Sequence, residues 1–179
     1  AVRYIEMIQP DFIITNGGAL ARHSNTVLYK CMLPAAISDA LIQECLQNTC
    51  IGEITVETEG AHYWNSKELS QLGPDYAHTK LYDFAEPLGC DAYKITVEVL
   101  DREAAVRLAS KYPQCDFLAY TGEKWSRFAH KNATKVQAIK ELIRYLGIDA
   151  SQVAAFGDDY NDVDMLNYCG YGVAVSNAI

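Results

Sequence analysis

The sequence predicts an α/β protein in which a unit built on parallel strands is interrupted by an inserted α+β unit. Near both ends of the chain, a short apolar run (residues 11–15 and 153–156) is followed at once by glycine or Asn-Gly-Gly. Runs that are apolar on both faces are typical of buried strands in parallel sheets. In the middle of the chain, residues 52–58 and 93–99 alternate apolar and polar side chains, as half-exposed strands do.

These two patterns of apolar residues divide the chain into two units. Residues 1–21 and 130–179 are assigned to the parallel-sheet unit, and residues 22–129 to the α+β insert. The insert is expected to be a compact domain of its own, because its alternating strands need only one buried face.

Further elements follow from local signals. Amphipathic spacing predicts a helix over 35–47, a helix capped by Asp101, and a helix over 135–146 with Thr134 as N-cap and Gly147 as its end. Additional strands are expected at 27–33, 61–64, 117–120, 125–128 and 172–175, and a short helix is expected around Val163, Met165 and Leu166. The stretch 65–89 has little periodicity and is predicted to be a loop with one short helix.

Composition excludes several classes of function. The 179 residues include 15 Lys and Arg against 23 Asp and Glu, a net charge of −8 that disfavours binding to a nucleic-acid backbone. No stretch approaches the ~20 apolar residues of a membrane span. Residues 1–6 lack the apolar core of a signal peptide, and the six scattered cysteines form no CxxC pair, so we expect a cytoplasmic protein.

The segment after the second apolar run is the most informative for chemistry. Asp158, Asp159 and Asp162 place three carboxylates within five residues, with Asn161 beside them, at the carboxyl edge of the predicted sheet. Carboxylates so close repel each other unless a cation or water relieves the charge. A Mg²⁺ ion would do so, and the helix start that follows favours a phosphate. The alternative is a solvated acidic turn in which Asn161 caps the helix.

Two other positions suit an anion. Lys135 opens a helix, where the macrodipole disfavours a cation unless an anion such as phosphate lies nearby. The backbone at Asn16 and Gly17 can approach a ligand closely, and the Asn16 amide can donate to an oxyanion. A plain helix lysine and a simple turn are the alternatives.

The insert offers candidates for contacts with a substrate. Trp64 and Trp125 are aromatic candidates, with a place in the core as the alternative. Arg127 can pair either with a phosphate or with a carboxylate of the insert. The four histidines show no paired spacing, so no histidine metal site is predicted.

In this order, the motifs resemble the haloacid dehalogenase-like (HAD) hydrolases, specifically the Cof-type subfamily with an α/β cap. The matching stretches are residues 12–19, Lys135 at the start of its helix, residues 157–166 with the pattern GDxxND…M, and the final strand and its tail at 172–178. The resemblance implies a Rossmann-like core, incomplete in this chain, with the insert as the α+β cap.

The resemblance also implies a function. It points to a Mg²⁺-dependent phosphatase that acts on small phosphorylated metabolites, such as sugar phosphates, through an aspartyl-phosphate intermediate. Asp158 would bind Mg²⁺ directly, and Asp162 would support the site without binding the ion. Asn161 would contact the phosphate, and Lys135 would neutralise it and orient the nucleophile.

One departure from the family is large. The DxDGT-type motif that carries the nucleophile, and the second Thr/Ser-Gly-Arg-type motif, occur nowhere in the 179 residues. We therefore expect a fragment of a longer enzyme, inactive by itself, with the nucleophile upstream. The alternative is a non-catalytic module that binds phosphorylated metabolites or regulates through them. Nothing in the sequence indicates an oligomeric state.

Overall fold

The computed structural model describes residues 2–66 and 78–179. The chain forms two compact units: unit 1 comprises residues 1–31 and 132–179, and unit 2 comprises residues 32–131. The first boundary lies about ten residues later than the sequence suggested, because the two strands after residue 20 pair within unit 1.

Unit 1 combines two small sheets with three helices. Its elements are α1 (Val2–Ile8), β1 (Phe12–Thr15), β2 (Leu20–His23), β3 (Thr26–Lys30), α4 (Lys135–Leu146), β10 (Ala154–Gly157), α5 (Val163–Tyr168) and β11 (Tyr171–Ala174). The order β1-β2-β3 is antiparallel throughout, whereas β10 and β11 pair in parallel.

The pairing of β1 corrects one expectation. The apolar run was expected to join a parallel sheet, but its described partner is β2, which is antiparallel. Within the described residues, β1 has a strand on one edge only, and β10 has only β11. The expected burial of β10 is also wrong in part, because Phe156 is 65% exposed while Ala155 is buried.

Helix α4 fits its prediction residue for residue. The Thr134 side chain accepts a hydrogen bond from the backbone N–H of Gln137 (3.2 Å), and Gly147 ends the helix in the left-handed conformation at φ 66°. Its apolar side packs through Ile139 against Ala155 and Cys169, which form the small core of unit 1. Local capping and the apolar stripe therefore fix where Lys135 enters the fold.

In its described residues, unit 2 contains a six-stranded sheet and two helices. Its elements are α2 (Ala35–Leu46), β4 (Ile51–Thr58), β5 (His62–Trp64), β6 (Thr79–Leu81), β7 (Ala92–Val99), α3 (Arg102–Ala109), β8 (Cys115–Ala119) and β9 (Trp125–His130). The strand order is β6-β5-β4-β7-β9-β8, antiparallel except for the parallel pair β5–β6. Of the loop predicted over 65–89, residues 67–77 lie outside the described part.

Register sorts the side chains of this sheet onto two faces. Val56 lies opposite Ile95, which lies opposite Phe128, and these three belong to the buried core that also contains residues of α2 and α3. One residue along, Thr55 lies opposite Thr96, so the other face of the sheet is polar. The Asp101 carboxylate accepts the backbone N–H of Ala104 (3.1 Å) and caps α3 as predicted.

Among the helices that the structure describes, none has the length and apolar character needed to cross a membrane. All six cysteines lie in the described ranges, and they are free thiols.

In unit 1, the backbone at Gly18 lies so close to the backbone at Thr134 that no side chain fits between them. It has φ 105°, and a Cβ atom at Gly18 would lie 2.1 Å from the carbonyl carbon of Thr134. We predict that Gly18→Ala destabilises the protein by about 3 kcal/mol, through both strain and overlap. Gly147→Ala is the control, since φ is also positive there but nothing lies within 4 Å; it should cost ~1 kcal/mol. Urea unfolding followed by circular dichroism measures both, and equal losses would contradict the overlap.

Glu98 makes unit 2 sensitive to acid. Its carboxylate accepts from the Lys124 ammonium and from the backbone N–H of Glu53 (3.0 Å), and these contacts lower the pKa of Glu98. Because the pKa of Glu98 is lower in the folded state than in the unfolded state, its ionised carboxylate stabilises the fold at pH values above the unfolded-state pKa. This stabilisation is lost as the pH falls through the folded-state pKa.

We therefore predict that Glu98→Gln costs about 1 kcal/mol at pH 7 and that the difference from the parent disappears in acid. Both tryptophans of the chain, Trp64 and Trp125, lie in unit 2, so their fluorescence follows its unfolding. Glu86→Gln, at an exposed position, is the control. A cost for Glu98→Gln that stays constant with pH would be inconsistent with the ionised carboxylate as its source.

Candidate functional site

A cavity of about 370 Å³ lies within unit 1, at the ends of β1 and β10 and the start of α4. The residues that line it are Ile14, Gly17, Gly18, Lys135, Phe156, Gly157, Asp158, Asp162 and Met165. Four of the predicted site residues thus line one cavity: Gly17, Lys135, Asp158 and Asp162.

An ion pair between Lys135 and Asp162 forms the centre of the site. The Lys135 ammonium donates to Oδ1 of Asp162, which lies 27 residues away in the chain. Asp162 is only 4% exposed, whereas the Lys135 side chain is 36% exposed. An ammonium has three donors, so Lys135 can serve Asp162 and still present N–H groups to the cavity.

The second oxygen of Asp162 holds the turn that follows β10. Asp162 Oδ2 accepts from the backbone N–H of Asp158 at 3.2 Å and from that of Asp159 at 3.5 Å. Burial pushes the pKa of Asp162 upward, but Lys135 and the backbone donors outweigh it, and the pKa lies below its ordinary value. The carboxylate is therefore ionised at neutral pH and fixes both the lysine and the turn.

Gly157 is needed for this arrangement. A Cβ atom at Gly157 would lie 2.4 Å from the Cβ of Asp162 and 2.8 Å from its Cγ. Any side chain at position 157 would displace the Asp162 carboxylate from the backbone N–H groups that donate hydrogen bonds to it. The glycine of the GDxxND segment is explained by this contact.

The three carboxylates have separate roles. Asp159 accepts from the backbone N–H of Tyr160 (2.6 Å) and forms a capping box with Asp162 in the turn Tyr160–Asp162. Asp158 is exposed, and its carboxylate has no hydrogen bond or ion pair with any described residue. Asp159 and Asp162 are therefore already engaged with other groups, and Asp158 is the carboxylate left open at the cavity.

Of the three carboxylates in this segment, Asp158 is the one that could hold a metal ion. Within the ranges that the structure describes, no three His, Cys, Asp or Glu side chains come close enough to hold one. Mg²⁺ commonly uses one or two protein carboxylates and takes its other ligands from water and phosphate. The open carboxylate of Asp158 could serve as the protein ligand in that mode, and Lys135 lines the same cavity.

Asn16 and Asn161 are not among the residues that line this cavity, and Arg127 belongs to unit 2. Asn16 has φ 54° and adjoins Gly17, but it is not among the lining residues, and neither is Asn161. Arg127 lies on β9 in unit 2, where its Nη2 is 3.9 Å from Oδ2 of Asp116. Of the two alternatives for Arg127, the structure contains the pairing with a carboxylate of the insert.

Sequence reasoning missed the apolar part of the lining. Ile14, Phe156 and Met165 line the cavity beside the charged groups. Ile14 and Phe156 are the next-to-last residues of β1 and β10, and the ends of these two apolar strands were the available signal for a cavity wall.

The chain is similar in sequence to known proteins. A Haemophilus influenzae relative is 40% identical over 76 residues, which are 42% of this chain and 29% of that protein. Phosphatase YwpJ of Bacillus subtilis is 31% identical over 115 residues, 62% of this chain and 40% of YwpJ. The chain spans less than half the length of either relative.

The fold also matches solved structures. The structure described as the HAD subclass IIB sugar phosphatase BT4131 superimposes with a TM-score of 0.82 over 99% of this chain and 69% of that one, at 21% identity. The family model for haloacid dehalogenase-like hydrolases matches residues 1–179. With the fold of subclass IIB and a family match along its whole length, this chain belongs to the haloacid dehalogenase-like hydrolases.

Proposed function

We propose that the protein is a Mg²⁺-dependent phosphatase of small phosphorylated metabolites, such as sugar phosphates, that works in the cytoplasm through an aspartyl-phosphate intermediate. The observation that carries the proposal is the meeting of Lys135 and the unpaired Asp158 carboxylate at one cavity. The names of YwpJ, a phosphatase, and BT4131, a sugar phosphatase, support it. The nucleophilic aspartate would lie outside these 179 residues, and the edges of β1 and β10 without described partner strands agree with that.

Lys135 would bind the phosphate. Its ammonium can contact an equatorial oxygen and compensate the negative charge of the transferring group. Asp162 would keep this ammonium in place and charged, because its buried carboxylate is the acceptor for Lys135. Asp162 thus acts through Lys135 and through the backbone of Asp158, as a positioning residue.

Asp158 would hold Mg²⁺, which supplies positive charge to the phosphate oxygens when bound. The backbone around Gly17 would approach the phosphate, as the sequence predicts, and Gly17 lines the cavity. For Asn16 and Asn161 a phosphate contact remains a prediction. The same holds for Arg127, for which a substrate contact would have to compete with Asp116.

A direct test measures Mg²⁺-dependent hydrolysis of p-nitrophenyl phosphate. We expect no turnover by the 179 residues alone, and turnover when the segment encoded upstream is included. In the longer protein, Asp158→Asn should weaken Mg²⁺ binding at least tenfold and abolish turnover, since a neutral amide replaces the carboxylate ligand. Asp164→Asn changes an exposed carboxylate outside the cavity and should leave both unchanged.

One result would contradict the proposed position of the nucleophile, and another would count against the phosphatase. Turnover by the 179 residues that Asp158→Asn abolishes would mean that the nucleophile lies within them. A longer protein that binds phosphate and Mg²⁺ without turnover would favour the alternative, a non-catalytic binding or regulatory module.

Lys135→Met provides a second prediction. Phosphate binding should weaken by tenfold or more, while Mg²⁺ affinity changes little, because the ammonium contacts the anion and not the cation. Lys140→Met, an exposed lysine on the same helix, is the control, and isothermal titration calorimetry measures both affinities.

Lys135→Met should also cost stability, about 1–3 kcal/mol, because the buried Asp162 carboxylate loses its cation. Adding Asp162→Asn should recover part of that loss, since the uncompensated charge is then removed. A double variant that is less stable than Lys135→Met would argue against the ion pair as the link between these residues.

A further inference from the structure

The residues that follow β11 lead the chain back to the site of unit 1. The backbone N–H of Ala178 donates to the carbonyl of Val175 at 3.0 Å, which closes a tight turn. The backbone N–H of Ile179 then donates to the carbonyl of Asp158 at 3.1 Å. Residues 175–179, the return segment, thus contact the residue whose open carboxylate lies at the cavity.

Strand pairing carries the return segment to this position. β10 and β11 run in parallel, with Gly157 opposite Ala174 in their last pair. The backbone N–H of Val175 donates to the carbonyl of Gly157 at 3.1 Å, which extends the ladder by one bond beyond β11. Asp158 is the next residue, and the turn places the Ile179 N–H at its carbonyl. The hydrogen bonding of this sheet therefore continues up to the site.

Asp158 is held through its backbone on both sides. Its N–H donates to Oδ2 of Asp162 at 3.2 Å, and its carbonyl accepts from the Ile179 N–H. These bonds restrain the two peptide groups that flank its Cα atom, and those groups determine the direction in which the side chain leaves the backbone. The carboxylate itself is exposed and has no partner among the described residues. The backbone of Asp158 is thus fixed while its oxygens stay open.

Side-chain burial does not account for the position of the return segment. Ile179 is 62% exposed, and Ser176 and Asn177 are exposed as well. A segment that buries so little apolar surface gains little from the hydrophobic effect. Its position depends on the backbone hydrogen bonds, so the N–H of Ile179 is the group that matters at this residue, and its side chain is dispensable.

We propose that the return segment is a positioning element for Mg²⁺ binding, in which the Ile179 N–H fixes the carbonyl of Asp158 and so orients the Asp158 carboxylate. This role rests on the proposed function, in which Asp158 holds Mg²⁺. Groups that contact a metal ligand from outside orient it, and a site with few protein ligands depends strongly on that orientation. Asp162 restrains one side of Asp158, and the return segment restrains the other.

Two substitutions at one position separate the backbone donor from the side chain. Ile179→Pro removes the N–H that donates to Asp158, whereas Ile179→Ala keeps this N–H and shortens the exposed side chain. In the longer protein, Ile179→Pro should weaken Mg²⁺ binding about tenfold, the lower end of what the loss of an outer contact to a metal ligand costs. Ile179→Ala should leave Mg²⁺ affinity unchanged. Isothermal titration calorimetry with MgCl₂ measures both affinities.

Phosphate binding without Mg²⁺ separates this role from a general loss of structure. The Lys135 ammonium is held by Asp162 and by its place on α4, and not by Asp158. The affinity for inorganic phosphate should therefore be unchanged in both variants at position 179. A parallel loss of phosphate and Mg²⁺ affinity in Ile179→Pro would show that the return segment only supports the fold of unit 1, which contradicts the proposal.

Asp158→Asn distinguishes failure of this role from failure of the proposed function. If Asp158→Asn weakens Mg²⁺ binding and Ile179→Pro does not, the positioning role is wrong and the phosphatase stands. If Asp158→Asn leaves Mg²⁺ affinity unchanged, Asp158 is not the metal ligand, and the proposed function loses its metal site together with the role of the return segment. Equal losses in Ile179→Pro and Ile179→Ala would assign the effect to the side chain and refute the role of the N–H.

A measurement on the unaltered protein does not depend on how the variants fold. The Ile179 amide should exchange its hydrogen slowly, because it is bonded to the Asp158 carbonyl. The Asn177 amide is the control, since Asn177 is exposed and its N–H has no partner in the described part of the chain. Amide exchange followed by nuclear magnetic resonance compares the two. Equally fast exchange at both positions would show that the bond to Asp158 is absent in solution and would overturn the proposal.

Discussion

The site in unit 1 depends on one buried carboxylate. Asp162 binds the Lys135 ammonium with one oxygen and the backbone of Asp158 and Asp159 with the other. It therefore joins the start of α4 to the turn after β10, two segments that local structure alone would leave independent. A buried charge of this kind is costly unless it is fully paired, so the arrangement has few alternatives of similar energy.

This constraint explains how three neighbouring carboxylates coexist. Asp162 is compensated by a cation, and Asp159 by the backbone of its own turn. Asp158 is left exposed at the cavity without a partner. Repulsion among the three is relieved by separate partners, and the one carboxylate that remains open lies beside the lysine. The proposed joint binding of a metal ion and a phosphate rests on this arrangement.

In unit 2, the strand register has the same organising role. It separates the apolar side chains that pack with α2 and α3 from a face of threonines, tryptophans and ion pairs. A shift by one residue in any strand would exchange the two faces. On the polar face, Lys94, Lys124 and Arg127 pair with carboxylates of the same unit.

The sequence by itself determined the elements whose signals are local. The bounds of α4, the Asp101 and Thr134 caps, the end at Gly147 and the alternating strands β4 and β7 follow from hydrophobic spacing and capping chemistry, which act within a few residues. The GDxxND segment, the lysine helix and their order along the chain also sufficed to indicate the family, which the match over residues 1–179 confirms.

Only the tertiary structure decided which groups meet. Residues 27 positions apart form the Lys135–Asp162 pair, and no local pattern distinguishes the carboxylate that is buried from the one that stays open. The antiparallel pairing of β1, the exposure of Phe156 and the pairing of Arg127 with Asp116 depend likewise on neighbours distant in the chain or across strands. Burial and pairing are properties of the assembled fold, and they decide which polar groups at the site are engaged and which stay open.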